Sequence, residues 1–132
     1  MKQAQVLTKE EIRKVIKVCE LTRHEDRNKL IVHLSFLSGM RAVEIANLRV
    51  KDVLTADNEV IDAIALDKSQ TKGNKGQTVY VGKALKKELT KYFAKFPKLA
   101  DRKEGYLLRT QKGHFTSLTI QHLFKHLYTL AN

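Results

Sequence analysis

Apolar positions repeat at helical spacing in four stretches of the chain, and two short runs between them are β-rich. Ile12, Val15, Ile16 and Cys19 form one stripe behind Thr8-Lys9-Glu10-Glu11. Thr8 followed three residues later by Glu11 is a capping-box pattern, and it predicts a helix from Thr8 to about Leu21. Thr22 to Arg27 is a polar break. A second helix is expected from about Asp26 to Leu37. Its stretch from Leu30 to Leu37 is apolar almost all round, as in a helix enclosed by neighbours. Ser38-Gly39 closes it, with Gly39 suited to the left-handed conformation beyond a helix end. A short helix opened by Arg41 follows. Val60–Leu66 and Thr78–Val81 predict two antiparallel strands, joined by a basic stretch from Asp67 to Gln77 whose glycines and asparagine are turn formers. Helix returns from about Lys83 to Phe96, with Leu85, Leu89, Tyr92, Phe93 and Phe96 on its apolar side and Pro97 at its end. Tyr106–Arg109 predicts a third strand and Lys112-Gly113-His114 a turn. A last helix starts near Thr116 or Ser117. Ile120, Leu123, Phe124 and Leu127 line one of its faces, while His122, Lys125 and His126 project elsewhere. The expected fold is α+β, mainly helical, with a small three-stranded antiparallel sheet. Neither a repeat nor a linker divides it, so residues 1–132 read as a single domain.

Composition narrows the class without choosing a function. An apolar content of 42% and a charged content of 30% are ordinary for a globular chain and exclude a disordered one. No apolar run is long enough to span a bilayer, and the polar start Met1-Lys2-Gln3-Ala4-Gln5 lacks a signal-peptide apolar region. The lone Cys19 has no partner for an internal disulfide, which fits a cytoplasmic protein, and its place on the first stripe makes it a core thiol. Charge says more. Met1–Asp67 holds 11 Lys/Arg and 11 Asp/Glu, whereas Lys68–Asn132 holds 14 and 3, so the second half carries the whole net charge of +11. Such asymmetry is the footprint of a protein that meets a polyanion, with nucleic acid the expected one and a lysine-rich solvated surface the alternative.

The candidate chemistry begins in Leu37-Ser38-Gly39-Met40-Arg41-Ala42-Val43-Glu44-Ile45-Ala46-Asn47-Leu48. A cation at a helix start opposes the macrodipole and needs compensation. Either Glu44, one turn on, pairs with Arg41, or Arg41 and the helix start hold an external anion such as a phosphate. In the basic half, Thr71-Lys72-Gly73-Asn74-Lys75 forms the turn between the two strands. His122 and His126 stand at helical spacing, yet no third ligand such as Cys or Glu lies nearby. A solvent- or DNA-facing pair is the better reading than a metal site.

Taken together, the Arg41 segment and the lysine turn about thirty residues on resemble the tyrosine recombinases, or phage-type integrases. Ser38, Gly39, Met40, Arg41, Glu44 and Ile45 follow the family's order of small residue, Gly, apolar residue, Arg, Glu and Leu/Ile. Lys72-Gly73-Asn74-Lys75 followed by Thr78-Val79-Tyr80-Val81 matches its β-turn and strand, and Leu7-Thr8-Lys9-Glu10-Glu11 resembles the usual start of its catalytic domain. The resemblance covers nearly the whole chain in order. It implies that Arg41 contacts a scissile phosphate, where a planar, permanently charged guanidinium suits developing negative charge. It implies that Lys72 is the general acid for the leaving 5′-oxygen, with Lys75 the rival for that role. Thr71, Asn74, Lys75, His122 and Lys125 become DNA-binding candidates, and Glu44 a structural support for Arg41. The family's chemistry needs neither metal nor other cofactor, and no small-molecule substrate; partner protomers would assemble on the DNA.

The family's His-x-x-Arg box, a further His or Trp, and the tyrosine nucleophile remain unassigned. His122-Leu123-Phe124-Lys125-His126 looks superficially like that box. The segment from Tyr106 to Ala131, however, resembles the run just before it, so the box is expected beyond Asn132. Tyr128 lies too soon after Arg41 to be the nucleophile. The expected function is DNA integration or site-specific recombination through a 3′-phosphotyrosine, with DNA binding the activity of these residues alone. The alternatives are a non-catalytic DNA-binding or regulatory remnant of an integrase and a basic protein-interaction domain.

Overall fold

A computed structural model describes residues 7–71 and 76–132. The first helix, α1 (Lys9–Val18), starts where the capping box requires. Thr8 Oγ1 accepts the Glu11 N–H at 3.1 Å and Glu11 Oε1 accepts the Thr8 N–H at 2.9 Å. The last turn of the predicted helix tightens into a 3-10 turn over Cys19–Leu21, and the Thr22 hydroxyl donates to the Cys19 carbonyl at 2.6 Å. Next comes α2 (Glu25–Ser38), which buries Leu30, Ile31, Val32 and Leu34 and so has neighbours on several sides. Gly39 ends it with φ +69°, donating its N–H to the Ser35 carbonyl at 3.0 Å. That is the left-handed cap expected of a glycine after a helix. Two short helices follow, α3 (Ala42–Ala46) and α4 (Val50–Val53).

The β-rich runs pair as expected. Strand β1 (Ala63–Leu66) lies antiparallel to β2 (Gln77–Tyr80), with Ile64 opposite Val79, both buried. Helix α5 (Lys83–Lys95) packs against α2, and a 3-10 turn over Pro97–Asp101 follows it. The expected third strand is different. Tyr106 makes a single bridge to Arg49, and the Leu107 N–H donates to the Leu48 carbonyl at 2.9 Å. This run therefore lies beside the α3–α4 connection instead of joining β1 and β2. Leu107 and Leu108 are each 1% exposed, so the core claims the segment before a sheet edge can. A separate two-stranded hairpin forms just after it, from β3 (Arg109–Thr110) and β4 (Gly113–His114). Among the described residues the molecule has two two-stranded sheets in place of one three-stranded sheet, within the same mainly helical class.

The last helix, α6 (Ser117–Ala131), is capped by Thr116, whose Oγ1 accepts the Thr119 N–H at 3.2 Å. It packs on α1 and α3. Two clusters make the core. The larger gathers α2 through α5 with Leu107, Leu108, Phe115 and Ile120; the smaller holds Val15, Cys19, Val32 and Leu127. Leu123 and Phe124 touch both, so α6 joins them. Burial pushes the Cys19 thiol up to about 11, consistent with its reading as a core side chain. No described helix is long and apolar enough to cross a membrane.

Candidate functional site

Arg41 stands at the N-cap of α3 with extended backbone, φ −81° and ψ 160°. Its neighbours fix it there: Met40, Ile45, Ala46 and Leu48 are all buried. Its N–H donates to Glu44 Oε1 at 2.9 Å, and Glu44 is 1% exposed. Glu44 thus takes the main chain of Arg41 and not its side chain. The guanidinium is exposed, and no carboxylate among the described residues pairs with it. The local ion pair that would have made Arg41 a purely structural residue does not form. What results is a permanent cation, pointing outward, on a backbone anchored by a buried acceptor. A buried carboxylate used in this way holds a donor in place and leaves the cation available to an external anion.

The stretch leading to the lysine turn is tied to the same helix. Asp67 Oδ1 accepts the Ser69 N–H at 2.9 Å and the Ser69 hydroxyl at 2.6 Å, and the Ser69 hydroxyl bond holds its carboxyl below the usual range. The resulting 3-10 turn, Lys68–Gln70, presents Gln70 inward at 8% exposure. Gln70 Nε2 donates to the Asn47 carbonyl at 3.1 Å and to Asp52 Oδ2 at 2.7 Å, while its Oε1 accepts the Asp67 N–H at 3.0 Å. Asn47 is the C-cap of α3, so one buried amide links the start of the turn to the helix that carries Arg41. Sequence reasoning missed Gln70. The Asp67-x-x-Gln70 spacing, a capping-box pattern inside an apparent loop, was the signal that could have found it.

Thr71 follows directly and is half-buried. Lys72, Asn74 and Lys75 lie outside the described residues. His122 and Lys125 are exposed on α6, the helix packed beside α3. His126 is exposed as well, and the described residues contain no group of three or more potential metal ligands. Tyr128 is unsuited to attack: its hydroxyl is buried with no hydrogen-bond partner among the described residues, and burial raises its pKa. Beside the Gln70 network Arg49 lies 4.4 Å over the Tyr106 ring, which stacks on His114 at 4.0 Å and 12°. This stack fastens the β3–β4 hairpin to the start of α4.

A model of the phage integrase family matches residues 5–132. Transposase A from transposon Tn554 of Staphylococcus aureus is 31% identical over 94 residues, 69% of this chain and 25% of the relative. The same transposase in strains Mu50 and N315 matches equally. The chain spans about a quarter of the length of these curated relatives. The crystal structure of XerA recombinase superposes with a TM-score of 0.70 at 21% identity, covering 98% of this chain and 44% of that one. At that identity the likeness speaks for the fold.

Proposed function

The chain belongs to the phage integrase family, and from that premise we propose that residues 1–132 are a single unit, the first part of a tyrosine recombinase catalytic domain, acting on double-stranded DNA in the cytoplasm. Its role is in site-specific recombination or integration. Strands are cut and rejoined through a 3′-phosphotyrosine, which conserves the energy of the phosphodiester in a covalent intermediate. Arg41 contacts the non-bridging oxygens of the scissile phosphate, where fixed positive charge opposes the negative charge that builds up. Lys72 protonates the leaving 5′-oxygen. Thr71, Asn74, Lys75, His122 and Lys125 meet the DNA around that phosphate, and Glu44 holds Arg41 in register. Partner protomers assemble on the same DNA.

The observation that carries this reading is the exposed guanidinium of Arg41, without a carboxylate partner among the described residues, on a main chain fixed by buried Glu44. Support comes also from the charge: the excess of Lys and Arg lies wholly after Asp67. Duplex binding by this polypeptide is therefore expected to fall steeply with salt, with a slope of about −0.9 per phosphate neutralised. Gel shifts across a salt series measure it. Arg41→Ala should change the affinity only a few-fold, since one contact among many is lost. Absence of binding to any duplex, or an affinity indifferent to salt, overturns the proposal. With the Tyr128 hydroxyl buried, a nicked suicide substrate should give no covalent adduct with these 132 residues.

A further inference from the structure

Far from Arg41, the connector before α2 and the end of α5 enclose a groove of about 850 Å³. Arg27 lines it in the first turn of α2, whereas Arg41 lies just beyond the other end of that helix. A helix of 14 residues rises about 21 Å, so the groove is a separate place on the molecule. Arg23, Arg27, Lys95, Lys98, Arg102 and Arg109 all border it. Its two carboxylates are already engaged: Glu25 with Lys29 at 2.8 Å and Asp26 with Lys95 at 2.7 Å. Arg23, Lys98 and Arg102 have no carboxylate partner among the described residues.

Arg27 is the most telling of the six. It is half-buried, yet every acceptor it reaches among the described residues is neutral. Its Nε and Nη2 donate to Asn28 Oδ1 at 3.1 and 2.9 Å, its Nη1 donates to the Arg109 carbonyl at 3.0 Å, and its guanidinium lies 4.9 Å from the Phe115 ring centre. Those bonds orient it and leave its charge without a carboxylate partner among the described residues. The floor beneath these cations is apolar. Phe96 is 41% exposed and its ring sits 4.9 Å from that of Tyr92, with Leu99 and Leu107 alongside. An exposed phenylalanine among uncompensated cations calls for a ligand that is both anionic and apolar.

We propose that this groove docks an acidic segment of a partner protein whose carboxylates are interspersed with apolar side chains. Arginine forks bind carboxylates through two parallel hydrogen bonds, and an aromatic or aliphatic anchor against Phe96 and Leu99 supplies desolvated contact. A nucleic-acid backbone fits less well. It offers no apolar group to the exposed Phe96.

The test uses the 132-residue protein and a fluorescein-labelled 12-residue peptide of eight Glu with two Phe and two Leu. An all-Glu peptide and a Gln-for-Glu peptide serve as controls, and a short duplex DNA as competitor. Fluorescence anisotropy should give micromolar binding of the mixed peptide and at least tenfold weaker binding of both controls. The double variant Lys98→Glu, Arg102→Glu should weaken the mixed peptide tenfold or more. Phe96→Ser should weaken it about fivefold while leaving duplex binding unchanged. Melting curves check that each variant is folded; the charge variant alters only exposed positions, so it remains decisive if Phe96→Ser unfolds. Equal binding of the all-Glu peptide reduces the groove to non-specific charge and overturns the proposal. So does no binding, or a duplex that displaces the peptide and loses affinity in the same variants. Loss of duplex binding alone would sink the DNA reading and leave this one standing.

Discussion

At the scale of single residues, Arg41 and Glu44 divide their work between surface and core. The guanidinium is outside and the carboxylate inside, and only the backbone of Arg41 connects them. Their substitutions should therefore separate. Arg41→Ala removes an exposed side chain without a described carboxylate partner, and its stability should stay within about 0.5 kcal/mol of the parent. Glu44→Ala removes a buried side chain and leaves the part-buried Arg41 N–H without its acceptor, and should lower stability by about 1–2 kcal/mol. Urea denaturation of the two variants measures both. Equal losses would mean that the Arg41 side chain has a structural role and would weaken its assignment to a phosphate.

Among elements, the helix ends carry much of the design, and most of them follow local rules visible in the chain. Thr8, Gly39 and Thr116 cap as their types and spacings require. Gly39 is the sharpest case because its φ of +69° is costly for any residue with a Cβ. Gly39→Ala should destabilise by about 1–2 kcal/mol, and Gly39→Asn by less, since asparagine tolerates the left-handed region. Thermal melts of the pair check this, and an unchanged Gly39→Ala would rule out the left-handed cap. The run Tyr106–Leu108 is the instructive exception. Its side chains suit a strand, but strand pairing is decided by what lies alongside, and here the core took Leu107 and Leu108 first.

Over the whole molecule, electrostatics links packing to pH. His33 on α2 faces Glu88 of α5 at 3.6 Å, with Lys91 of α5 and Lys29 of its own helix nearby. Burial lowers its pKa below the ordinary value, outweighing the attraction of Glu88. The folded protein therefore binds this proton less readily than the unfolded chain does. Below about pH 6.5 the unfolded chain takes up more protons, and stability falls as the pH drops through that value, levelling off once the depressed folded value is passed. His33→Gln should flatten this part of the profile relative to the parent. Denaturation midpoints between about pH 7.5 and 5 test it, and a parent profile no steeper than that of the variant would contradict it.

The chain by itself determined the helices and their caps, the β1–β2 pairing, the core stripes including Cys19, the basic second half and the Arg41 motif. These rest on interactions between residues a few positions apart, or on composition, and such interactions leave a periodic trace in the sequence. Tertiary structure alone decided that Glu44 holds the Arg41 main chain and leaves the guanidinium exposed. It decided that Gln70 reaches 23 residues back to Asn47, and that Arg27 meets Arg109 across 82 residues to build a basic groove. Contacts of that span depend on which buried surfaces meet when helices and hairpins pack, and no local spacing encodes the choice.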